Sequence, residues 1–244
     1  MTIARIFQNT SLLLNDTLRL DDQASHHISR VLRSKVGDFI TLFNGQGGEY
    51  RCHIIHIDKK YVTVSIKEFI NPQMESSLEL YLIQGISRGE KMDYTIQKAV
   101  ELGVKKIIPL FTERSTVKLD KDRREKRLSH WQAIAIAACE QSGRNIIPEI
   151  LLPESFENGL SSLRVDVGFV LSPHTSSPLS EFTIQSNQRV ALLIGPEGGL
   201  TYQEIQRALL FKFYALSLGP RILRTETAAV AAITALQCRF GDMK

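Results

Sequence analysis

The sequence has few cysteines, no long apolar run and little net charge, and the first two of these shortages each exclude a class of protein. The chain contains three cysteines in 244 residues. They lie far apart and include no C-x-x-C pair, so the sequence predicts neither a disulfide framework nor a zinc site. No apolar stretch approaches the roughly 20 residues that a membrane span needs. The first residues also lack the basic region and apolar core of a signal peptide. We therefore expect a soluble, cytoplasmic protein with no metal and no membrane partner.

Two common nucleotide-binding motifs are also missing. The sequence contains neither the G-x-G-x-x-G order of a dinucleotide site nor the G-x-x-x-x-G-K order of a P-loop. Gly45, Gly47 and Gly48 lie between predicted strands and do not precede a helix. Nicotinamide and nucleoside-triphosphate chemistry are therefore disfavoured. A net charge of +4 permits a polyanionic partner but does not require one.

The first part of the chain has the pattern of a small β-domain. Segments 38–43, 50–57 and 61–66 are rich in β-branched and aromatic residues and are separated by turn residues, which indicates short strands of a barrel or sandwich. One helix is predicted over 22–32, with Asp21 or Asp22 as its N-cap. The sequence N-P-Q at 71–73 breaks the pattern. We therefore predict a first domain over residues 1–71.

The second predicted domain, residues 72–244, alternates apolar strands with helices. Strands are predicted at 78–86, 106–110, 167–171, 190–194 and 214–218, and helices at the segments that end near 102 and 142, at 202–211 and at 227–240. Continuous apolar runs such as residues 191–194 (ALLI) are typical of strands that helices bury on both faces. The fold class predicted for this domain is α/β with a mostly parallel sheet.

Two loops in this domain have the composition of a ligand site. The first, IGPEGG at 194–199, follows an apolar strand and precedes a helix. Loops of this kind lie at the carboxyl edge of an open sheet, where ligands bind. The alternative is an ordinary turn built from glycine and proline.

The second loop, LGPRILRTET at 218–227, also connects a strand to a helix, whose N-cap we predict to be Thr225 or Thr227. Arg221, Arg224 and Glu226 place more charge here than capping requires, although incidental arginines remain an alternative. Two such loops would share one edge of the sheet. The chemistry of the loops alone indicates an adenosine-bearing ligand.

Together with KAVELGV at 98–104, CEQSGR at 139–144 and HHISRVLR at 26–33, these loops resemble the RsmE family of 16S ribosomal RNA uridine-N3 methyltransferases of the SPOUT superfamily. The resemblance covers nearly the whole chain. It implies a PUA-like β-barrel followed by an α/β domain with a deep trefoil knot, a homodimer, and S-adenosylmethionine as cofactor. It also implies that the substrate is 16S ribosomal RNA of the small subunit, either assembled or free.

The resemblance assigns cofactor contacts to three loops. The residues concerned are Leu171, Ser172, Ile194, Gly195, Pro196, Glu197, Gly198, Gly199, Leu218, Gly219, Ile222, Leu223, Arg224, Thr225, Thr227 and Ala228. Glycines would allow close approach of the backbone, and Ile194, Ile222 and Leu223 would pack against the adenine.

Methylation of uridine N3 requires loss of the imide proton, while negative charge develops on the flanking carbonyl oxygens. A carboxylate base and a guanidinium suit these two tasks. Glu226 or Glu197 is the candidate base, and Arg221 or Arg224 is the candidate stabiliser. We favour Arg224 and Glu226. Each of these side chains has the alternative of holding a loop or binding phosphate.

Basic residues elsewhere are candidate RNA contacts. Lys118, Lys121, Arg123, Arg124, Lys126 and Arg127 form a basic run, for which a solvated helix start is the alternative. The RNA contacts that we predict are Arg5, His27, Arg30, Arg33, Lys91, Arg123, Arg124, Arg127 and Arg144. A non-catalytic RNA-binding assembly factor, and a knotted methyltransferase that acts on another nucleotide, are the competing functions.

Overall fold

The structure is a computed structural model that describes residues 3–117, 119–173, 177–185 and 188–243. Lys118 of the predicted basic run lies outside the described residues. The chain forms two compact units. Unit 1 comprises Met1–Glu75 and Cys139–Ile147, and unit 2 comprises Ser76–Ala138 and Pro148–Lys244.

Unit 1 is built on a five-stranded sheet with the order β1-β3-β4-β5-β2. The elements are β1 (Ala4–Phe7), β2 (Thr17–Arg19), α1 (Asp22–His26), a π-helical turn (His27–Val31), β3 (Phe39–Phe43), β4 (Glu49–Ile57) and β5 (Val62–Ile70). Asp21 caps α1 by accepting the N–H of Ala24 at 2.7 Å, as predicted. Alternate residues of β5, among them Val62, Val64 and Ile66, enter the core of this unit, which is the alternation expected of a strand with one buried face. The sequence analysis missed the short strands β1 and β2.

A second segment completes unit 1 and was not expected from the sequence. Residues 139–147 belong to it, whereas the predicted second domain included them. The predicted boundary at 71/72 also falls slightly before the observed one at Glu75. The reason is a set of polar contacts that local sequence does not reveal. Arg144 pairs with Glu75 at 2.6 Å, and the N–H of Phe7 donates to Glu140 at 2.9 Å.

Unit 2 contains a seven-stranded sheet whose strands pair in parallel in the order β12-β10-β11-β6-β7-β8, with β9 also pairing with β7. The strands are β6 (Glu79–Gly85), β7 (Lys106–Phe111), β8 (Glu149–Ile150), β9 (Glu154–Ser155), β10 (Val167–Leu171), β11 (Arg189–Ile194) and β12 (Phe213–Leu216). The predicted parallel α/β class is therefore confirmed. The short strands β8 and β9 were not predicted.

Helices connect these strands. They are α2 (Glu90–Glu101), α3 (Lys121–Ser142), α4 (Phe156–Ser161), α5 (Tyr202–Leu210) and α6 (Thr225–Phe240). Residues 190–194 of β11 are completely buried or nearly so, as their unbroken apolar sequence predicts. Among the described residues, no helix has both the length and the apolar character that crossing a membrane requires.

Candidate cofactor site

A cavity of about 270 Å³ opens in unit 2 where three neighbouring strands end. Its walls come from the segments that follow β10, β11 and β12, together with Arg114 and the start of α6. Because parallel strands present their carboxyl ends at one edge of the sheet, segments distant in sequence meet there. The lining includes Leu171, Ser172, Ile194, Gly195, Pro196, Glu197, Gly198, Gly199, Leu218, Gly219, Arg221, Ile222, Leu223, Thr225 and Ala228. Of the predicted cofactor residues, only Arg224 and Thr227 are not part of this lining.

The loop after β11 is folded so tightly that side chains are excluded from it. A Cβ atom on Gly195 would lie 2.7 Å from the carbonyl carbon of Gly199. One on Gly85, at the end of β6, would lie 2.5 Å from Cδ of Pro196. The turn closes through the N–H of Gly199, which donates to the carbonyl of Pro196 at 2.8 Å. Glycine is therefore required at positions 85 and 195 by backbone packing.

Two charged side chains stabilise this loop and the start of the helix that follows it. Glu204 forms a capping box with Thr201 at the start of α5 and also accepts the N–H of Glu113 at 2.9 Å. Arg114 donates to the carbonyl of Gly198 at 2.9 Å. The sequence analysis identified neither Arg114 nor Glu204. The capping box was visible as T-x-x-E at 201–204, but nothing in the sequence links residue 113 or 114 to this loop.

A buried hydrogen-bond network joins the two predicted loops. The hydroxyl of Thr225 donates to the carbonyl of Gly195 at 2.6 Å, and Nε2 of Gln84 lies 3.0 Å from the same hydroxyl. Because the Thr225 side chain is used in this way, it does not cap α6. The prediction that Thr225 or Thr227 is the N-cap is wrong: Arg224 occupies that position and makes no side-chain capping bond.

The loop after β12 forms the opposite wall and leaves apolar surface exposed. Gly219 has φ +101°, a conformation that glycine adopts at low cost. Ile222 is 85% exposed although it borders the cavity. Within the described part of the chain, the N–H groups of Leu218 and Leu223 donate to no other backbone or side-chain group. Unused backbone donors beside apolar side chains are the features that a purine-containing ligand needs.

The candidate catalytic residues occupy different positions. Arg221 is exposed and borders the cavity, while Arg224 is exposed outside it, and neither forms a salt bridge with a described residue. Glu226 does not line the cavity. Its Oε2 atom is buried and has no hydrogen-bond partner among the described residues.

Glu197 lines the cavity but is engaged by its neighbours. Its Oε1 accepts the N–H of Arg88 at 3.0 Å and lies 3.6 Å from Nζ of Lys91. Burial raises the pKa of the Glu197 carboxyl, but the hydrogen bonds from the N–H groups of Arg88 and of Glu197 itself, with the charge of Lys91, outweigh it. The pKa therefore lies below its usual value, and Glu197 is a weak proton acceptor that holds its loop.

Two arginines that we predicted as RNA contacts are internal to unit 1. Arg144 is 3% exposed and pairs with Glu75. Arg5 pairs with Glu49, donates to the side chain of Asn145 at 2.6 Å, and stacks on Phe43. The guanidinium groups of both are occupied inside the protein, so this prediction is corrected for both. By contrast, His27, Arg30 and Arg33 are exposed.

The predicted basic residues of unit 2 also differ from one another: some are held by other residues of the protein, and one is exposed without a salt bridge. Arg124 donates to the carbonyls of Leu119 and Pro153 and lies over the ring of Phe111, so it is a structural residue of α3 and not a free phosphate contact. Arg123 pairs with Asp120 at the surface. Arg127 is exposed and has no salt-bridge partner among the described residues. Lys91 is partly buried beside Glu197.

Both units match families of known proteins. Residues 74–237 match the family model of an RNA methyltransferase domain, and residues 20–67 match that of an RNA methyltransferase PUA domain. The predicted PUA-like domain and the methyltransferase class are thereby confirmed. The trefoil knot stays a prediction.

Relatives that align over most of their length narrow the class of RNA methyltransferases to one family. The chain is 38% identical to ribosomal RNA small subunit methyltransferase E of Buchnera aphidicola from Acyrthosiphon pisum, over 99% of this chain and 96% of that protein. It is 33% identical to the protein of the same name from Bacillus subtilis, over 90% and 89% of the two chains. This chain belongs to the ribosomal RNA small subunit methyltransferase E family.

Solved structures agree with this family. A methyltransferase from Legionella pneumophila, solved with bound cofactor SAM, has a TM-score of 0.95 and 40% identity over 99% of this chain and 100% of that one. Ribosomal RNA small subunit methyltransferase E from Neisseria gonorrhoeae, bound to S-adenosyl methionine, has a TM-score of 0.93 and 37% identity over the full length of both chains.

Proposed function

We propose that this protein transfers the methyl group of S-adenosylmethionine to N3 of a uridine in 16S ribosomal RNA of the small subunit. The observation that carries the proposal is the cavity at the carboxyl edge of the sheet, with its glycine loop on one side and residues 216–225 on the other. Family membership supports the same conclusion, since relatives of similar length are named for the small-subunit RNA and are solved with the cofactor.

The residues that line the cavity fit the cofactor. Gly195 and Gly199 provide a wall without side chains, Ile194 and Leu223 provide apolar faces for the adenine, and the N–H groups of Leu218 and Leu223 can donate to its edge. When bound, the cofactor supplies an electrophilic methyl group on a sulfonium. The C–S bond breaks as the N–C bond forms, and the electron pair of the broken bond stays on sulfur.

A matched pair of glycine substitutions tests the cofactor site. Gly199 and Gly37 both have a positive φ and no atom within 4 Å of an added Cβ, so Gly→Ala causes similar backbone strain at each. Gly199 lines the cavity, whereas Gly37 lies in unit 1. We expect Gly199→Ala to weaken cofactor binding about tenfold in calorimetry, which is about 1.4 kcal/mol, while Gly37→Ala leaves it unchanged. Equal affinities for both variants would contradict the assignment of the site.

The protein's own side chains have two tasks in the chemical step. One group must stabilise the charge that develops on the uracil oxygens when N3 loses its proton, and Arg221, at the cavity and free of salt bridges among the described residues, suits this task. Arg224, which we favoured from the sequence, is the exposed N-cap residue of α6 outside the cavity and is proposed to contact the adjacent phosphate.

Glu226 is the proposed proton acceptor, supported by its Oε2 atom, which has no hydrogen-bond partner in the described part of the chain. Glu197 is less suited because Arg88 and Lys91 engage it. We expect Glu226→Gln to lower the methylation rate about 10² to 10⁴-fold, the usual contribution of a general base. A normal rate across the pH range would exclude Glu226 from this role.

The exposed cations His27, Arg30 and Arg33 in unit 1 and Arg127 in unit 2 are proposed to contact RNA phosphates.

A homodimer, a trefoil knot and a cytoplasmic location, where ribosomal subunits are found, belong to the same proposal. Gel filtration with light scattering would test the dimer.

One experiment separates this function from its competitors. The protein is incubated with S-adenosylmethionine labelled on the methyl group and with either small subunits or free 16S RNA, and the modified nucleotide is mapped. We expect label on N3 of one uridine. Label on another nucleotide would favour a different RNA methyltransferase. RNA binding without transfer of label would favour a non-catalytic assembly factor.

A further inference from the structure

We propose that Gln84 is a positioning residue for the cofactor, although it does not line the cavity: its buried amide fixes the Gly195 loop against the first turn of α6. The proposal rests on the proposed cofactor site. Gln84 lies near the end of β6 and is completely buried. Nothing in its local sequence distinguishes it from an ordinary strand residue, and the sequence analysis did not consider it.

The hydrogen bonds around Gln84 determine how its side-chain amide is oriented. The single hydroxyl proton of Thr225 goes to the carbonyl of Gly195 at 2.6 Å, so the hydroxyl oxygen accepts from Nε2 of Gln84 at 3.0 Å. Nε2 also lies 3.0 Å from the carbonyl of Gly85 and 3.3 Å from that of Gly195. Three acceptors surround this one atom, which must therefore be the NH₂ group of the amide.

The same orientation leaves the other end of the amide unsatisfied. Oε1 of Gln84 is buried and accepts no hydrogen bond from the described residues. A buried acceptor without a donor is unfavourable and calls for an explanation. The explanation we infer is functional: the amide is held in this orientation because its NH₂ group joins two walls of the cavity.

Two of the three partners of Gln84, Gly195 and Thr225, are cavity residues from different loops. Gly195 belongs to the loop after β11, and Thr225 ends the loop after β12. Gly85, which follows Gln84, lacks the side chain that would collide with Pro196. Residues 84 and 85 of β6 thus set both the distance between the walls and the path of the first loop. Without the amide, the direct hydrogen bond from Thr225 to Gly195 remains, but the two walls lose the common anchor on β6 that fixes their positions.

The chain contains a matched control in Gln237. This glutamine is also completely buried in unit 2 and also joins α6 to its surroundings, because it accepts from Ser76 at 2.7 Å and donates to the carbonyl of Leu102 at 2.8 Å. It lies in the last turns of α6, while the partner of Gln84 is the first residue of that helix. Loss of Gln237 therefore tests general destabilisation without disturbing the cavity.

The experiment compares Gln84→Met with Gln237→Met, substitutions that nearly conserve volume. We expect both to lower the melting temperature, but only Gln84→Met to raise the Kd for S-adenosylmethionine, by about tenfold or more. In methylation assays with RNA, Gln84→Met should raise the KM for the cofactor, and a saturating cofactor concentration should restore kcat to within about threefold.

A second pair keeps the test informative if Gln84→Met does not fold. Thr225→Ser retains the hydroxyl and should weaken cofactor binding less than Thr225→Val, which should weaken it about as much as Gln84→Met. Equal cofactor affinity in the wild type and Gln84→Met, equal weakening by both glutamine variants, or equal affinities of the two Thr225 variants would overturn the proposal. Failure of the wild type itself to bind S-adenosylmethionine would instead overturn the proposed function.

Discussion

Arginine has opposite surroundings in the two units. Arg144 in unit 1 is almost completely buried and pairs with Glu75, and Arg5 in the same unit is surrounded by acceptors. Arg221 in unit 2 is exposed at the cavity and has no salt bridge to a described residue. The buried guanidinium groups hold residues 139–147 to the rest of unit 1. The exposed one is free to meet a negatively charged ligand.

This difference predicts whether a substitution of arginine changes mainly folding stability or mainly binding and catalysis. A buried ion pair is costly to break because the remaining charge stays in a poorly solvated place. An exposed arginine contributes little to folding and can contribute much to binding or catalysis. Stability and activity should therefore respond separately in the two units.

The largest expected effect is that of Arg144→Ala on unit 1. It leaves Glu75 without its partner and should lower the unfolding free energy of this unit by about 3–5 kcal/mol. Cys52, which is buried in unit 1 and has its pKa raised to about 12 by burial, provides a probe, because its thiol should react with a labelling reagent only when the unit opens. Cofactor affinity should not change.

The double variant Arg144→Met with Glu75→Met is the control for the first prediction, since removing both charges avoids the unpaired carboxylate. It should recover most of the lost stability. Rapid labelling of Cys52 in the wild type, or equal labelling rates in the wild type and Arg144→Ala, would contradict the prediction that the buried Arg144 stabilises unit 1.

Arg221→Ala should show the reverse behaviour. We expect a methyl-transfer rate about 10² to 10³-fold lower, as for loss of one stabiliser of a developing oxyanion, with the unfolding free energy within about 0.5 kcal/mol of the wild type. Single-turnover rates and urea titrations measure the two quantities. Arg164→Ala changes another exposed arginine of unit 2, one without a proposed RNA contact, and is the control that should leave the chemical step unchanged.

The sequence was sufficient for features that depend on local pattern. The unbroken apolar run of β11 predicted a buried parallel strand, and the glycine and arginine loops predicted the position of the cavity. It was not sufficient for contacts between residues that are far apart in the chain. Gln84 in β6 contacts Thr225 at the start of α6, and Arg114 contacts Gly198. Neither contact has a sequence signal.

The sequence also did not predict which charged residues are buried. Arg5 and Arg144 were predicted as RNA contacts because they are basic residues of a chain that resembles an RNA-modifying family, but unit 1 provides partners for both in its interior. The error has the same origin as the missed segment 139–147, since Arg144 belongs to that segment. Pattern predicts which face of a strand is buried; it does not predict which distant carboxylate will meet a cation.

The third prediction concerns the exposed arginines and RNA. Each arginine that contacts a phosphate should, when changed to Gln, reduce the slope of log K against log salt by about 0.7 to 0.9. We expect this of Arg30→Gln and Arg33→Gln in unit 1 and of Arg127→Gln in unit 2. Arg123→Gln should have a smaller effect because Arg123 already pairs with Asp120. Filter binding of a 16S RNA fragment across salt concentrations gives the slopes, and identical slopes for all variants would assign these arginines to surface solvation alone.

The smallest expected effect is a change in how unit 1 responds to pH. Burial raises the pKa of the Glu140 carboxyl above its usual value of 4.5, although the N–H of Phe7 and the charges of His27 and Arg5 oppose the rise and Asp21 adds to it. A carboxyl whose pKa is raised by folding contributes stability below the unfolded pKa and loses it as pH rises through the folded pKa. Glu140→Gln, which can still accept from Phe7, should therefore gain stability relative to the wild type as the pH increases above about 4.5.

The difference between the urea midpoints of Glu140→Gln and the wild type is followed by circular dichroism from pH 3 to 8. It should grow as the pH rises from about 4.5 through the pKa of Glu140 in the folded protein, and then stay constant. Glu68→Gln removes an exposed carboxylate from the same unit and measures the background change. A difference for Glu140→Gln that shrinks with rising pH would mean that the carboxylate stabilises unit 1 as Arg144 does.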